Sequence, residues 1–372
     1  MRHAESPGRR VAVQQFVPFL HARDAVGNHA LTTHAVLTAA GLRPALWAAQ
    51  VEPRLSARAR PYRRYLRGRG RLSPMFRDVL LYQSSTGAPE MVASLLGLPQ
   101  PLVVYYHNIT PAAFFDPYDA AAAKSMREAR LDLHRLSRRI RVALVASQYS
   151  ARELQDVGVS DVRVIPPYVS SGASAATADP QYLRSLRRTR GQLDLLFVSR
   201  LVPHKGHLHL LRMLAALRGG GIDARLFIVG ARGPQAYMDT ILRLRRRLGL
   251  EEFAILTGSI SDAELAAHYE TADMFTCLSE HEGFAIPLLE AMRAGVPVLA
   301  YEAGAVAETL AGAGVLVRTL DPYLLAEIVS RAQCDQGLRA ELRARQLRRA
   351  DELDSLPRDE ALLEAIHAAA ER

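Results

Sequence analysis

The stretch SEHEGFAIPLLEAMRAGVP, residues 279–297, decides the fold class of this chain. It follows the apolar run MFTCL (274–278) and continues into a helical pattern that opens near Gly283, so it predicts a strand, a turn and a helix. Units of this kind build parallel sheets that carry helices on both faces. Glycine at the turn lets backbone N–H groups approach a ligand, and a helix N-terminus favours an anion.

Outward from this stretch, β-prone apolar runs alternate with helical patterns along most of the chain, which predicts an α/β fold. Two series of strands are predicted. The first is 11–16, 45–48, 79–82, 102–106, 142–146 and 162–165, and the second is 194–199, 225–229, 253–256, 274–278, 298–300 and 314–317. The main predicted helices are 29–40, 119–139, 147–157, 206–218, 235–248 and 261–270.

A Pro-Pro pair at 166–167 and an aperiodic Ser/Ala/Gly/Thr-rich stretch at 170–180 separate the two series, which is typical of a linker. We therefore predict two doubly wound, Rossmann-like domains, 1–168 and 193–351, joined by a linker over 169–192. Ligands of such folds bind outside the carboxyl ends of the strands, so we expect them in a central cleft that the two domains face.

Composition sets broad limits. The chain has 372 residues, of which 49% are apolar and 23% charged, as in ordinary globular proteins. No run approaches the about 18 apolar residues of a membrane-spanning helix, and no apolar segment follows the charged N-terminus as in a signal peptide. Cys277 and Cys334 are too few and too isolated for a disulfide framework or a zinc site. We expect a cytoplasmic protein.

The basic charge is concentrated in the first half of the chain. Residues 1–168 hold 23 basic and 12 acidic side chains, a net charge of +11, whereas the remainder carries −2. This asymmetry favours an anionic partner, although a merely soluble surface is equally consistent with it. The segment 54–71 carries eight arginines with Tyr62 and Tyr65 between them. It fits phosphates or an anionic membrane, which would make the protein peripheral at the inner face of the cell membrane, or else a solvated polar face.

Several catalytic motifs are missing from the sequence. It contains no G-x-x-x-x-G-K-[ST] loop, no G-x-G-x-x-G after a strand, no H-E-x-x-H, no Cys/His ligand spacing and no G-x-S-x-G. An ATPase, a simple dinucleotide enzyme, a zinc hydrolase and an α/β-hydrolase are therefore disfavoured. No metal site is predicted.

Two short stretches carry the chemistry that remains. Seven residues separate Glu282, expected at the mouth of the helix, from Glu290, expected about two turns further along it. Two carboxylates so spaced can face one extended polyol ligand, because carboxylates accept hydrogen bonds from sugar hydroxyls. The alternative is that Glu282 caps the helix and Glu290 is a surface residue. Against it, Glu290 lies among apolar residues, where an unpaired carboxylate is costly. Arg200 and Lys205 follow a strand that ends at Ser199, and two cations in such a loop suit a diphosphate; an ordinary basic loop is the alternative.

Together these motifs resemble those of the retaining glycosyltransferases of family 4, which have the GT-B fold. EHEGFAIPLLEAM, with Glu282 and Glu290, is similar to the E-x7-E signature of that family, and VSRLVPHKG is similar to its Arg…Lys donor-phosphate motif. VVYYHN places His107 like the N-domain histidine of the family. The resemblance covers residues 10–350 and is strongest over 194–317.

The resemblance implies a role for each matching residue. Arg200 and Lys205 would bind the diphosphate of a nucleotide sugar and stabilise the charge that develops as it leaves, in place of a metal. Glu290 would hold the ribose, and Glu282 and His107 would face the hexose. Further donor contacts are implied for four residues of these loops, Ser199, Gly283, Phe284 and Ala285. Gly258 and Ile260, in a separate loop, would lie beside the base.

One departure from the family pattern lies after the first strand, where members usually have a Gly-Gly loop. Here the region is FVPFLHARDAVGNHA, and Gly27 is its only glycine. Gly27 is expected to lie before a helix and to offer one backbone N–H to the donor. His21, Asp24 and His29 are expected in the same loop as acceptor contacts.

The resemblance also implies the reaction. A hexose would pass from a nucleotide-diphosphate sugar to an acceptor hydroxyl with retention, by attack on the face from which the diphosphate leaves, without metal or other cofactor. GDP-mannose is favoured slightly over UDP- or ADP-hexoses, and the acceptor is a glycan, a lipid-linked or a small molecule. The first domain would bind the acceptor, the second the donor, and a last helix over 352–372 would pack back on the first.

Three alternatives stay open. An epimerase or a phosphorylase would use a similar scaffold, since fold does not fix function. A non-catalytic sugar-binding partner of the same fold would keep the binding groups without turnover. A nucleic-acid binder would explain the basic half, but no recognition motif for nucleic acid is present.

Overall fold

A computed structural model of the chain describes residues 10–21, 24–68, 76–169 and 176–371. Contacts among them define two compact units. The first comprises the described residues within Met1–Ala112, Ala121–Tyr168 and Pro357–Arg372, and the second comprises those within Ala113–Ala120 and Val169–Leu356. Ala113–Ala120 thus packs with the second unit, although sequence analysis assigned it to the first domain.

The first unit is built on a parallel sheet, for which the described residues supply seven strands in the order β3-β2-β1-β4-β5-β6-β7. The strands are β1 (Arg10–Leu20), β2 (Arg43–Val51), β3 (Arg60–Pro61), β4 (Phe76–Ser84), β5 (Leu102–Tyr106), β6 (Ile140–Val145) and β7 (Val162–Val164). The helices between them are α1 (Ala25–Ala39), α2 (Tyr62–Arg67), α3 (Pro89–Leu96), α4 (Ala120–Ser137) and α5 (Gln148–Asp156).

Both faces of this sheet are buried. Alternate residues of β4 and β5, such as Leu80 and Val104, pack with Met91 and Leu133 of the helices on one face. Their neighbours in sequence point to the opposite face, because side chains of a strand alternate between the two sides. Burial on both faces explains why these strands are almost continuously apolar.

The second unit holds a parallel sheet whose described strands run in the order β10-β9-β8-β11-β12-β13. They are β8 (Leu193–Val198), β9 (Ala224–Val229), β10 (Ala254–Gly258), β11 (Met274–Cys277), β12 (Val298–Tyr301) and β13 (Val315–Val317). Its helices are α6 (Pro180–Arg188), α7 (His207–Gly219), α8 (Gln235–Arg247), α9 (Asp262–Thr271), α10 (Ile286–Arg293), α11 (Val306–Leu310), α12 (Pro322–Cys334) and α13 (Gln336–Asp354).

The last helix, α14 (Arg358–Glu371), belongs to the first unit. Leu362 and Ile366 lie on its buried face and pack against Val79 and Val103 of the sheet. Burying side chains of this size stabilises a fold by about 1.5–3 kcal/mol each. The helical run is interrupted between Asp354 and Arg358, at Pro357, because proline lacks the N–H that would continue a helix.

The predicted fold class, α/β with two doubly wound domains, is confirmed. Every predicted strand is found within a few residues of its expected position. The two-residue strand β3 was not predicted, since so short a segment has no periodicity. Helix α1 begins at Ala25 rather than at residue 29, because the Asp24 carboxylate accepts a hydrogen bond from the Gly27 N–H and caps the helix earlier.

Candidate active site

The chain order of the second sheet determines where a ligand can bind. β8, the first strand of this unit, lies between β9 and β11. The chain therefore adds β9 and β10 on one side of β8 and then crosses to add β11 on the other side. Such a switch point opens a crevice at the carboxyl ends of the central strands. The loops 199–206 and 278–285 follow β8 and β11, and they contain both short motifs that sequence analysis singled out.

The loop after β8 is held against the loop after β11 by backbone contacts. Gly206 has φ +70°, and a Cβ there would lie 1.9 Å from the carbonyl oxygen of Leu278. Only glycine permits this approach in this conformation. The Glu280 N–H donates to the His204 carbonyl at 2.8 Å, which joins the two loops a second time.

Lys205 and Glu282 face one another across these loops. Lys205 Nζ donates to Glu282 Oε1 at 2.7 Å, and the two side chains are 20% and 9% exposed. The structure therefore brings together one residue from each motif. The pairing compensates the burial of the Glu282 carboxylate, which would otherwise be costly.

The backbone around Glu282 is fixed from the other side. The Ala305 N–H donates to the Glu282 carbonyl at 2.9 Å, and Gly304, at φ +57°, allows this contact because a Cβ would lie 2.2 Å from that oxygen. Thr309 Oγ1 donates to the Phe284 carbonyl at 2.6 Å. These bonds hold the loop in one conformation before helix α10 begins.

Glu282 precedes the helix that carries Glu290, although this helix begins later than the predicted opening near Gly283. Helix α10 begins at Ile286, so Glu282 lies in the loop and Glu290 in the helix. Ala285 precedes the helix with φ 67° and ψ 67°, a left-handed conformation that is unfavourable for a residue with a Cβ. Backbone strain of this kind is frequent at functional sites. Gly283 and Phe284 lie in the same loop.

Glu290 is largely buried on α10. Its Oε2 accepts a hydrogen bond from the hydroxyl of Tyr269 at 2.9 Å. Burial raises the pKa of the Glu290 carboxyl, and the hydrogen bond from Tyr269 and the charge of Arg293 oppose this effect. The contact of Tyr269 with Glu290 was not predicted, since no sequence motif links Tyr269 to the signature residues.

Arg200 is exposed and makes no side-chain hydrogen bond or ion pair among the described residues. Its charge and that of Lys205 both contribute to the lowered pKa of His204, whose main cause is burial of the imidazole. Both cations therefore lie near that ring. Phe114 and Phe115 pack on the same ring, with centroids 6.0 and 5.8 Å away.

Ser199 lies at the partly buried end of a hydrogen-bonded chain. Its hydroxyl lies 3.1 Å from His207 Nε2, and His207 Nδ1 lies 3.3 Å from the Tyr237 hydroxyl. Burial lowers the pKa of His207 to about 3, so the ring is neutral at ordinary pH. The proximity of His207 to the predicted Ser199 contact was not evident from the sequence.

The predicted base contacts, Gly258 and Ile260, follow β10 at the edge of the sheet. The Gly258 carbonyl accepts from the Gly230 N–H at 3.0 Å, and Gly258 has φ +73°. The helix that follows, α9, begins with a capping box formed by Ser261 and Glu264. Gly258 and Ile260 thus lie at the end of β10, two strands along the sheet from β8, whose loop carries Lys205.

In the first unit, His107 lies directly after β5. Its Nε2 lies 2.6 Å from Gln83 Oε1, and its ring meets that of His29 edge to face at 5.0 Å between centroids. Burial lowers the pKa of both histidines, that of His29 to about 3. With Oε1 as the acceptor, the neutral His107 ring carries its proton on Nε2 and leaves Nδ1 as an acceptor.

The residues predicted to share the loop after β1 separate in the structure. His21 is exposed in the loop, whereas His29 is 2% exposed and lies on α1. Asp24 caps α1, and Gly27 lies in its first turn with its N–H bound to the Asp24 carboxylate at 3.1 Å. The expectation that Gly27 lies before the helix with an N–H to offer is therefore wrong, and His29 is not a loop residue.

The arginine-rich segment forms β3 and the amphipathic helix α2. Tyr62 and Tyr65 face inward, each 6% exposed, and Tyr65 packs edge to face on Phe16. The described arginines of the segment are exposed: Arg54, Arg58, Arg60, Arg63, Arg64 and Arg67. Arg69 and Arg71 lie outside the described residues. Arg63 pairs with Glu90 at 2.5 Å beside a cavity of about 460 Å³ that Phe19, Tyr62 and Met91 line.

A family model described as glycosyl transferases group 1 matches residues 180–349, which lie within the second unit. No helix among the described residues is long and apolar enough to cross a membrane.

Particular relatives are named for sugar transfer. A "GDP-mannose-dependent alpha-(1-6)-phosphatidylinositol monomannoside mannosyltransferase" of Mycolicibacterium smegmatis is 35% identical over 194 residues, 49% of this chain and 50% of that protein. A "D-inositol 3-phosphate glycosyltransferase" of Kineococcus radiotolerans is 32% identical over 242 residues, 59% of this chain and 55% of that protein. The chain thus spans about half the length of the curated relatives it matches.

Solved structures agree on the fold over nearly the whole chain. Anabaena Alr3699/HepE in complex with UDP-glucose matches with a TM-score of 0.72 and 18% identity, covering 96% of this chain and 98% of that one. Sucrose-phosphate synthase from Thermosynechococcus elongatus matches with a TM-score of 0.71 and 17% identity, covering 92% and 95%. These likenesses confirm the GT-B fold class.

Proposed function

We propose that the protein is a retaining hexosyltransferase that moves mannose from GDP-mannose to a hydroxyl of an anionic acceptor. The observation that carries this proposal is the Lys205–Glu282 pair at 2.7 Å, at the switch point of a glycosyltransferase domain. A cation and a carboxylate that meet there suit a ligand with a diphosphate and a hydroxylated ring.

The donor diphosphate would bind between Arg200 and Lys205. Arg200 is exposed, without a side-chain ion pair among the described residues, and Lys205 is held by one carboxylate. Both cations would stabilise the negative charge that builds on the diphosphate as the bond to the sugar breaks. The Glu282 carboxylate, which Lys205 holds in place, would accept hydrogen bonds from hexose hydroxyls.

The transfer step needs no nucleophile from the protein. The acceptor hydroxyl would attack the anomeric carbon on the side from which the diphosphate departs, which retains the configuration. The bond from the anomeric carbon to the diphosphate oxygen breaks with its electron pair on that oxygen, and a donor phosphate oxygen takes the hydroxyl proton. His107, with Nδ1 as an acceptor, would bind a hydroxyl of the same sugar.

The choice of GDP-mannose rests on the names of relatives. Proteins related to this chain are named GDP-mannose-dependent mannosyltransferases, and the signature SEHEGFAIPLLEAM is similar to mannosyltransferase variants of family 4. UDP- and ADP-hexoses are the competing donors.

The anionic acceptor is proposed from charge. Residues 1–168 carry +11, and the described arginines of 54–71 are exposed on β3, α2 and the loop before them. The named acceptors of the two relatives above, a phosphatidylinositol monomannoside and an inositol 3-phosphate, are phosphorylated. An acceptor in a lipid bilayer would place the protein peripherally at an anionic membrane, with α2 as the contact.

Binding of UDP-, GDP- and ADP-sugars by the purified protein, with slow hydrolysis of the donor followed in parallel, tests the proposal. We expect GDP-mannose to bind, to release free mannose, and to bind more weakly to Lys205→Ala and Glu290→Ala. Binding without hydrolysis or transfer would favour a non-catalytic sugar-binding protein. Interconversion of sugars without an acceptor would favour an epimerase.

A further inference from the structure

Tyr269 touches a predicted donor residue from a neighbouring helix. It lies on α9, is 4% exposed, and donates its hydroxyl to Glu290 Oε2 at 2.9 Å. Its ring stacks on Phe275 of β11 with centroids 6.2 Å apart. The ring is thus fixed by packing, and the hydroxyl is aimed at a single carboxylate oxygen.

The direction of this hydrogen bond follows from burial. Burial raises the pKa of Tyr269 well above its ordinary value, with the charge of Glu290 as a second cause, so the phenol stays protonated and donates. Glu290 Oε1 makes no hydrogen bond among the described residues. The two carboxylate oxygens of Glu290 therefore differ, because Tyr269 binds Oε2 and leaves Oε1 able to accept another hydrogen bond.

We propose that Tyr269 is a positioning residue for Glu290, whose hydroxyl holds Oε2 so that Oε1 accepts a hydrogen bond from the ribose of the donor nucleotide. This inference rests on the proposed function and on the ribose contact that the family resemblance implies for Glu290. It adds that the preference for a ribonucleotide over a 2′-deoxyribonucleotide depends on a residue that does not touch the donor.

Tyr269 also sets the charge of Glu290. The charged groups that act on this carboxyl are Asp262 of α9, which raises its pKa, and Arg293 of α10, which lowers it and is itself paired with Asp354 of α13. Burial raises the pKa of Glu290, and removal of the Tyr269 hydroxyl takes away the larger of the two effects that oppose this rise. The carboxylate then protonates at a higher pH, and its ribose contact weakens there.

The test is titration calorimetry of GDP and 2′-deoxy-GDP with the wild-type protein, Tyr269→Phe and Glu290→Ala. Phenylalanine keeps the ring packing and removes only the hydroxyl. We expect Tyr269→Phe to lose about tenfold in affinity for GDP and much less for 2′-deoxy-GDP. The free energy of a hydrogen bond to a charged group is large enough to account for a tenfold change in affinity. Between pH 8 and 5 its GDP affinity should fall at a higher pH than that of the wild type.

Tyr182→Phe is the matched control. The Tyr182 hydroxyl lies 3.0 Å from His268 Nε2 on the same helix α9, so this variant also removes one partly buried hydroxyl from the same region. It should leave both affinities and the pH profile unchanged. An equal loss in Tyr182→Phe would reduce the role of Tyr269 to general packing and overturn the proposal.

The remaining outcomes separate this inference from the function on which it rests. If Glu290→Ala loses the ribose preference and Tyr269→Phe keeps it, Tyr269 does not position Glu290 and the inference is wrong. If Glu290→Ala also keeps the preference, Glu290 does not bind the ribose, and the inference fails although donor binding as proposed can still hold. An equal loss for both nucleotides at every pH in Tyr269→Phe would likewise contradict it.

Discussion

Lys205 Nζ and Glu282 Oε1 lie 2.7 Å apart, although 77 residues separate them in the chain. Each residue follows one of two adjacent parallel strands, β8 and β11, and the close approach of Gly206 to Leu278 holds the two loops together. The pair thus brings the two motifs of the candidate site into direct contact.

Replacement of Lys205 by alanine should abolish most donor turnover. The ammonium would stabilise the leaving diphosphate, and loss of one such group costs about 10²–10³ in kcat. Lys205→Arg should restore little, because the planar guanidinium does not fit the place of a compact ammonium. Hydrolysis of GDP-mannose measures both variants. Lys124→Ala is the control: it removes the other lysine of the chain, which is 75% exposed on α4, and should keep full activity. Full activity in Lys205→Ala would remove the central support of the proposed function.

Gly206→Ala should strongly destabilise the second unit. Its Cβ would lie 1.9 Å from the Leu278 carbonyl, in a left-handed conformation, so one of the two loops must move. Gly221, at φ +83°, has nothing within 4 Å of the position of a Cβ. Gly221→Ala should therefore cost only the backbone strain, about 1–2 kcal/mol. Thermal unfolding measures both, and we expect Gly206→Ala to lower the melting temperature by far more. Equal shifts would show that the two loops do not pack as described.

The free energy of unfolding should decrease as the pH falls below about 6.5. Burial lowers the pKa of His207 to about 3, so the unfolded chain takes up a proton between pH 6.5 and 3 while the folded protein does not. Each such histidine removes up to about 1.4 kcal/mol of stability per pH unit in this range. Chemical denaturation at pH 7 and pH 5 should show a smaller decrease for His207→Gln than for the wild type. His367→Gln, at an exposed position of α14, should show the same decrease as the wild type. If His207→Gln loses as much free energy of unfolding between pH 7 and pH 5 as the wild type, the His207 ring is not kept neutral by burial.

Binding to anionic vesicles should depend on the exposed face of α2. A triple change of Arg63, Arg64 and Arg67 to serine should weaken sedimentation with phosphatidylinositol-containing vesicles, because each basic side chain near such a surface contributes about 1 kcal/mol. Added salt should weaken the wild type in the same way. The matched control changes Arg243, Arg246 and Arg247 of α8, which are also exposed, to serine. Binding that responds to neither salt nor the α2 changes would exclude this surface as a membrane contact.

The sequence alone was sufficient to predict the fold class and to name the candidate residues. Strands buried on both faces are apolar throughout, and caps such as Ser261 with Glu264 act within one turn of helix, so both features are local and visible in the chain. The motifs with Arg200, Lys205, Glu282 and Glu290 were evident for the same reason, since each lies within a short stretch that follows one strand.

Tertiary structure decided which of these residues meet and in what state. The left-handed Ala285 removes Glu282 from the helix that carries Glu290, and the Asp24 cap draws Gly27 into α1. Tyr269 reaches Glu290 only because α9 and α10 pack side by side, and no spacing in the sequence encodes that contact. The physical reason is that loop conformation, burial and the pairing of charges depend on atoms supplied by distant segments. Local patterns identify elements and candidate residues, whereas the partners of each side chain follow from packing.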